Sequence, residues 1–344
     1  MIKQRVIGGE FDIDISKLAN NKPLFDNGVM YSSGRAALYN ILKHIEERSS
    51  IKTILLPDYL CESVLDAVKK FSFKIIFYKI TSNLELDTAD FKEKYTNNSV
   101  VLIINYFGGI NCASQISFIR TIDSKACIIE DNVQAFYAMH HQSDADYSFT
   151  SFRKCFPVAD GAWVKSKHMD LPEAIERNTF ADYKIAGGIL KNISLFDEVE
   201  DADYLKLLRQ GEEQINDNFS SSISPLTTNL MSAFDFRAIA EHRRANAEFL
   251  ISGLEELNIE PILNFSDNAS VPLFVPIRIE NRNSMRSELF QNNVFCPVHW
   301  PVPACYDLER GKEMADKELS LIIDQRYSTD DMKIILSILK KFSN

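Results

Sequence analysis

KACIIEDN, residues 125–132, is a short apolar run that ends in two carboxylates and an amide. Read as a strand, it carries Ile128 and Ile129 through an interior and delivers Glu130 and Asp131 at its carboxyl end. What flanks it sets the fold class. SVVLIINYF (99–107) is a continuously apolar strand, and SQISFIRTID (114–123) between the two has helical character. Upstream the alternation continues: helix in YSSGRAALYNILKHIEER (31–48), strand in KTILLP (52–57), helix in YLCESVLDAVKKF (59–71), strand in FKIIFYKI (73–80), then a short helix in TADFKEKY (88–95) opening at a Thr or Asp cap. Strands alternating with helices, several of them continuously apolar, predict a mostly parallel central sheet covered on both faces. In such sheets ligands sit outside the carboxyl ends of the strands. Pro57-Asp58-Tyr59, Asn105-Tyr106-Phe107 and Glu130-Asp131-Asn132 fall there.

Past residue 165 the texture changes. Residues 166–225 are more polar, with SSSISP (220–225) as a loop signal. TNLMSAFDFRAIAEHRRANAEFLISGLEEL (228–257) reads as one long helix. Strand-like VPLFVPIRI, helix-like SMRSELFQNN, proline-rich CPVHWPVPACY and a final helix TDDMKIILSILKKF follow. The expected organisation is an α/β large domain over 1–235 and a smaller α+β C-terminal domain over 236–344. The first 25 residues are expected to form a segment that can pack on the small domain.

Bulk properties narrow the function. The 344 residues carry 38 Lys+Arg and 48 Asp+Glu, a net charge of −10, with 45% apolar residues. An acidic chain argues against a nucleic-acid backbone as partner, because phosphate-backbone binding needs a basic surface. No apolar run reaches membrane-spanning length, and the first residues lack the apolar core of a signal peptide. The six scattered cysteines contain no CxxC and read as reduced thiols, so a cytoplasmic protein without a metal centre is expected. Neither GxGxxG after the first strand, nor GxxxxGK[ST], nor GxSxG is present, which argues against dinucleotide, P-loop and hydrolase sites.

Three features instead lie in order along the candidate sheet edge. Ser33 and Gly34 open a helix whose free N–H groups and positive dipole end suit a phosphate. Asp131 could hold a protonated ring nitrogen by a charge-assisted hydrogen bond. Lys154, in the apolar stretch DYSFTSFRKCFPVADGAWV (146–164), could form a Schiff base with an aldehyde if partial burial lowers its pKa. A phosphate, a ring nitrogen and an aldehyde on one molecule describe pyridoxal 5'-phosphate (PLP).

The run from about Ser33 to Trp163 resembles the DegT/StrS family of fold-type-I PLP aminotransferases. SGRAAL (33–38), IIEDNVQAF (128–136) and SFTSFRKCFPVADGA (148–162) carry the likeness, and the arginine-rich long helix and LSLIIDQRYSTDD (319–331) extend it over most of the chain. The resemblance implies Lys154 as Schiff-base lysine, Asp131 at the pyridine nitrogen and Gln134 on the ring-hydroxyl side. It implies an amino-acid donor, glutamate by family analogy, a nucleotide-linked keto sugar as acceptor, and polysaccharide biosynthesis as setting. A homodimer with sites at its interface follows from the same likeness.

The pattern departs from the family at several positions. Arg35 stands where the family has Thr. Phe149 stands at the usual serine position, so Ser148 or Ser151 would replace that hydroxyl. GDGG becomes ADGA. Asn229, in TTNLMS, is the nearest match to the segment that reaches the neighbouring subunit's cofactor. Tyr59 is the nearest aromatic for stacking on the ring, and Cys61 is the other candidate for that slot. His299 reads as a packed loop residue or a substrate contact, and Arg326 as a substrate carboxylate partner or a structural ion pair. His140 and His141 read as an exposed turn, and His242, Arg243 and Arg244 as a solvated helix face. Elimination or dehydration on the same cofactor, or a non-catalytic protein of the same fold, are the rival readings. A lysine at position 154 argues against the family's dehydratases, which carry histidine there.

Overall fold

The computed structural model describes residues 7–8, 27–167, 171–196, 199–217, 219–265, 270–303 and 305–343. The expected N-terminal segment therefore lies largely outside the described residues. Its strand β1 (Ile7–Gly8) is described and pairs in parallel with β10 (Val294–Phe295).

A seven-stranded sheet forms the centre. It comprises β2 (Val29–Tyr31), β3 (Thr53–Pro57), β4 (Lys74–Tyr78), β5 (Ser99–Ile104), β6 (Cys127–Asp131), β7 (Tyr147–Ser151) and β8 (Ala162–Ser166), in the order β2-β8-β7-β6-β5-β3-β4. The pairs β4–β3, β3–β5, β5–β6 and β6–β7 are parallel. Only β8 runs against the rest, pairing antiparallel with both β7 and β2. All six residues of β5 are buried, as the unbroken apolar run requires of a strand covered on both faces.

Helices α1 (Gly34–Arg48), α2 (Glu62–Val68), α3 (Thr88–Lys94) and α4 (Cys112–Ile122) connect the strands. Each is placed by local chemistry. Ser33 Oγ accepts from Ala36 N at the start of α1, and Asp87 Oδ1 accepts from Ala89 N and Asp90 N at the start of α3, so Asp87 and not Thr88 is the cap. Ala36, Ala37, Ile41, Leu42 and Ile45 of α1 are buried against the sheet in one hydrophobic cluster with β3, β5 and β6.

Two sequence expectations are corrected between residues 166 and 257. The polar stretch contains two 14-residue helices, α5 (Phe180–Ile193) and α6 (Asp201–Gln214), packed as a hairpin. Their glycines hid them: Gly187 and Gly188 lower intrinsic helix propensity. In the fold they permit close packing, since a Cβ on Gly187 would lie 2.9 Å from Leu208 and one on Gly211 2.8 Å from Lys184. The single long helix is two, α7 (Pro225–Ala233) and α8 (Phe236–Glu256), broken where Asp235 caps Ala238 N at 3.0 Å.

The C-terminal elements are β9 (Phe274–Arg278), α9 (Arg282–Gln291), α10 (Glu309–Lys317), β11 (Glu318–Ile322) and α11 (Thr329–Ser343). β9 and β11 pair antiparallel, and with α8, α9 and α11 they bury a second hydrophobic cluster that includes Leu250, Val275, Leu289, Leu321 and Ile335.

Candidate active site

A cavity of about 570 Å³ opens at the carboxyl edge of the parallel strands, with walls from both parts of the chain. β5, β6 and β7 bring Ile104, Asp131 and Phe149 with Ser151 to it. The start of α1 contributes Ser33, Gly34 and Arg35, and the turn after β7 contributes Arg153 and Lys154. The C-terminal part supplies Phe274, His299, Trp300, Asp324 and Arg326.

Strand alternation sorts the carboxylates. Asp131 faces the cavity, while Glu130 faces a second cavity on the other side and accepts from Ser148 Oγ at 2.9 Å. The same alternation on β7 sends Phe149 and Ser151 to the cavity and leaves Ser148 outside it. Of the two serines considered for the phosphate hydroxyl, Ser151 is the one at the site.

Asp131 is only 6% exposed, and its Oδ1 accepts from Val133 N at 2.9 Å. Burial pushes its pKa up to about 7; the Val133 hydrogen bond and the nearby Lys154 cation pull it back, and Glu130 raises it further. Gln134 Oε1 accepts from Phe107 N at 3.0 Å, which braces the left-handed turn at Phe107 (φ 55°) and leaves the amide Nε2 for the cavity. Lys154 faces the cavity but is exposed, because it sits in the turn beyond the buried strand. The expectation of partial burial for this lysine does not hold.

Gly34 marks a close approach. A Cβ there would lie 3.2 Å from Val133 Cγ2 and 3.4 Å from Ser151 Cβ. The first N–H groups of a helix have no intrahelical partner, so those of Gly34 and Arg35 are left for an anion. A buried carboxyl, an exposed amine and a helix N-terminus thus converge on one cavity. That donor and acceptor set fits PLP.

Other expected residues fall elsewhere. Tyr59 is buried behind the wall, stacked on Tyr106 at 5.7 Å, and its hydroxyl donates to His299 O; Cys61, not Tyr59, lines the cavity. Asn229 is exposed on α7 outside the cavity of its own chain. His299 is both packed and lining: Nδ1 pairs with Ser320 Oγ at 2.9 Å, its N–H donates to Glu318 at 2.7 Å, and its ring lies against Phe107, Phe274 and Trp300. Arg326 lines the cavity and clasps Asp324, with Nε and Nη2 each at 2.8 Å.

Sequence reading missed Arg243 and Glu212. Arg243 is not on a solvated face but 1% exposed, donating to Gln325 Oε1, Leu273 O and Cys155 O at 2.9, 3.2 and 3.3 Å. His242 is exposed, as expected, with a ring nitrogen 2.6 Å from Tyr327 O. Helical periodicity could have flagged Arg243, since it shares a face with Ala240, Ala247 and Leu250. Glu212 carried no signal, because its partners come from α1, α5 and the Lys154 turn. His140 and His141 are exposed, and among the described residues no group of three His, Cys, Asp or Glu side chains could hold a metal ion.

No family model matches the chain and no curated protein matches it in sequence. Solved structures do match in fold. The Streptococcus pneumoniae protein Spr1654, assigned as a sugar aminotransferase and solved in its PLP form, is 14% identical with a TM-score of 0.71, over 98% of this chain and 99% of that one. DesV of S. venezuelae, solved with a ketimine intermediate, is 17% identical with a TM-score of 0.64, over 94% and 86% of the two chains. A DegT/DnrJ/EryC1/StrS aminotransferase from Brucella abortus is 15% identical with a TM-score of 0.63, over 93% and 86%. At these identities the likeness is one of fold, and the chain has the type I fold of PLP-dependent aminotransferases.

Proposed function

We propose that this protein is a PLP-dependent aminotransferase of the DegT/StrS type, moving an amino group from an amino-acid donor, glutamate by analogy, to a nucleotide-linked keto sugar. The observation that carries the reading is the convergence of buried Asp131 and exposed Lys154 on one cavity beside the N-terminus of α1. The fold neighbours add support, since Spr1654 and the Brucella abortus protein are described as aminotransferases and DesV was solved with a ketimine intermediate. Fold alone would not assign a reaction.

Asp131 would hold the ring nitrogen of the cofactor in its protonated form, where a carboxylate in an apolar surround is a strong partner. Gln134 Nε2 would face the ring hydroxyl. Gly34 and Arg35 N–H groups and Ser151 Oγ would receive the phosphate, and Lys154 Nζ would hold the cofactor's aldehyde carbon. Once bound, the cofactor supplies an electron sink for a carbanion at the substrate's α-carbon. Lys154 Nζ would serve as the base that takes a proton from that carbon and as the acid that delivers it to the carbon that carried the cofactor's aldehyde. Its exposure gives it room to swing between those positions. Trp300 and Phe274, contributed by the C-terminal part, exclude water on the open side.

The reading includes a cytoplasmic homodimer with sites at the interface, to which Asn229 of each chain would contribute. The division into domains at residues 235 and 236 is supported by the separate hydrophobic cluster around α8, β9 and β11.

PLP added to the purified protein should produce the visible absorbance band of a lysine Schiff base. Borohydride should then fix the cofactor on the peptide containing Lys154, and amino transfer from labelled glutamate should be measurable. No band, and no change on Lys154→Ala, would sink the reading.

A further inference from the structure

One corner of the cavity carries an unbalanced charge cluster. Glu212 of α6 meets Lys184 Nζ at 2.9 Å, Arg153 Nη1 at 3.1 Å and Arg35 Nη2 at 3.5 Å. Three cations around one carboxylate leave two positive charges. Arg35, Arg153 and Glu212 all line the cavity, whereas Lys184 is buried behind it, its side chain 4% exposed against 43% for Glu212. The arginines are placed by their neighbours: Arg35 follows Gly34, and Arg153 stands two residues after Ser151, which lies against Gly34. Arg153 Nε is moreover buried with no acceptor among the described residues. A clasp serving only to fix α6 would need one cation. A surplus of two beside a helix N-terminus suits a ligand with about two negative charges, the charge of a phosphate monoester near neutral pH.

We propose that Arg153, together with Arg35, binds the phosphate of the ligand in this cavity, and that Glu212 tunes the affinity by holding both guanidiniums when no phosphate is there. A guanidinium fork matches two phosphate oxygens, which a threonine hydroxyl at position 35 could not do. Lys184 gives Glu212 a partner to keep when the arginines turn to phosphate, so release does not strand a carboxylate. Glu212 thus acts on the ligand through the arginines and is a positioning residue. The identification of the ligand as PLP rests on the function proposed above; the phosphate site itself does not.

The full chain, freed of cofactor, is titrated calorimetrically with inorganic phosphate, PLP and pyridoxal, which lacks the phosphate. Arg153→Met and Arg35→Met are each expected to weaken phosphate and PLP binding by about tenfold, the order of a lost charge-assisted pair. Glu212→Gln is expected to tighten both by about threefold to tenfold, since it removes a competing charge without changing shape. Pyridoxal binding should stay unchanged in all three. Phosphate affinity that ignores Arg153→Met, or that falls in Glu212→Gln, overturns the proposal. Circular dichroism and thermal unfolding check that each variant is folded. If Arg153→Met does not fold, Arg153→Lys keeps the charge and loses the fork; it is expected to weaken phosphate binding, and unchanged affinity there also overturns the proposal. Borohydride trapping separates the two ideas: Lys154 still trapped with phosphate binding insensitive to Arg153 sinks only the present one. Phosphate binding that follows these variants without any trapping at Lys154 sinks only the aminotransferase reading.

Discussion

Asp131 shows how one residue's surroundings set both its chemistry and its cost. Its folded pKa of about 7 stands well above the ordinary carboxyl value of 3.8, chiefly through burial. A group raised in this way holds a proton in the folded chain that the unfolded chain has already released. Its contribution to stability is therefore complete below about pH 4 and is lost as pH rises through 7. In cofactor-free protein, denaturant titrations should find Asp131→Asn gaining on the wild type by about 2–4 kcal/mol between pH 4 and pH 8. A flat difference across that range would contradict the burial argument. A bound cationic ring nitrogen would remove the penalty by pairing with the charged form.

The turn that carries Lys154 depends on its neighbours more than on its own sequence. Phe152 N donates to Gly161 O at 2.9 Å, and Gly161 N donates to Ser32 O at 2.6 Å, so the turn is tied both to the start of β8 and to the entrance of α1. Gly161 adopts φ +101°, and a Cβ there would lie 2.5 Å from the Phe152 ring. Gly161→Ala is expected to cost about 2–4 kcal/mol, read as a lower denaturant midpoint, because it combines backbone strain with a clash in a packed core. The adjacent Asp160 is fully buried and accepts from Asn178 Nδ2 at 2.6 Å, Ser224 N at 2.6 Å, Ser224 Oγ at 2.7 Å and Thr227 Oγ1. One carboxylate thus joins the Lys154 turn to the start of α7. The ADGA sequence holds the Asp-Gly pair that makes these contacts.

At the scale of the molecule, the cavity lies where three hydrophobic clusters meet: that of the large sheet (Leu38, Ile104, Phe149), the C-terminal one (Cys296, Ile322), and a third that contains Leu273, Phe152 and Cys155. Arg243 ties α8, whose Ala247 and Leu250 belong to the C-terminal cluster, to the third one, since it reaches the carbonyls of Leu273 and Cys155, the latter next to Lys154. The surface leaves large apolar side chains exposed around the α5–α6 hairpin and just before it, including Ile175 at 90% and Phe196 at 85%. Such side chains suit a covered interface. Light scattering should therefore return twice the 39.3 kDa chain mass at micromolar concentration. A mass of a single chain would remove the homodimer and the role proposed for Asn229.

Local patterning is enough to specify the mostly parallel sheet, because continuous apolar strands such as β5 can only be satisfied by cover on both faces. It also determined the capped start of α1 and the carboxylate at the end of β6, since capping and strand periodicity are local. Which serine reaches the site depends on how β7 is set in the folded sheet, through its two-residue alternation. The tertiary structure alone placed Tyr59 behind the wall, exposed Lys154 and buried Arg243. The α5–α6 hairpin was hidden because its glycines lower helix propensity and are favourable only once two helices touch. The Glu212 cluster was hidden for the same physical reason: its four charges lie far apart in the chain, and nothing local records that the fold brings them within 4 Å.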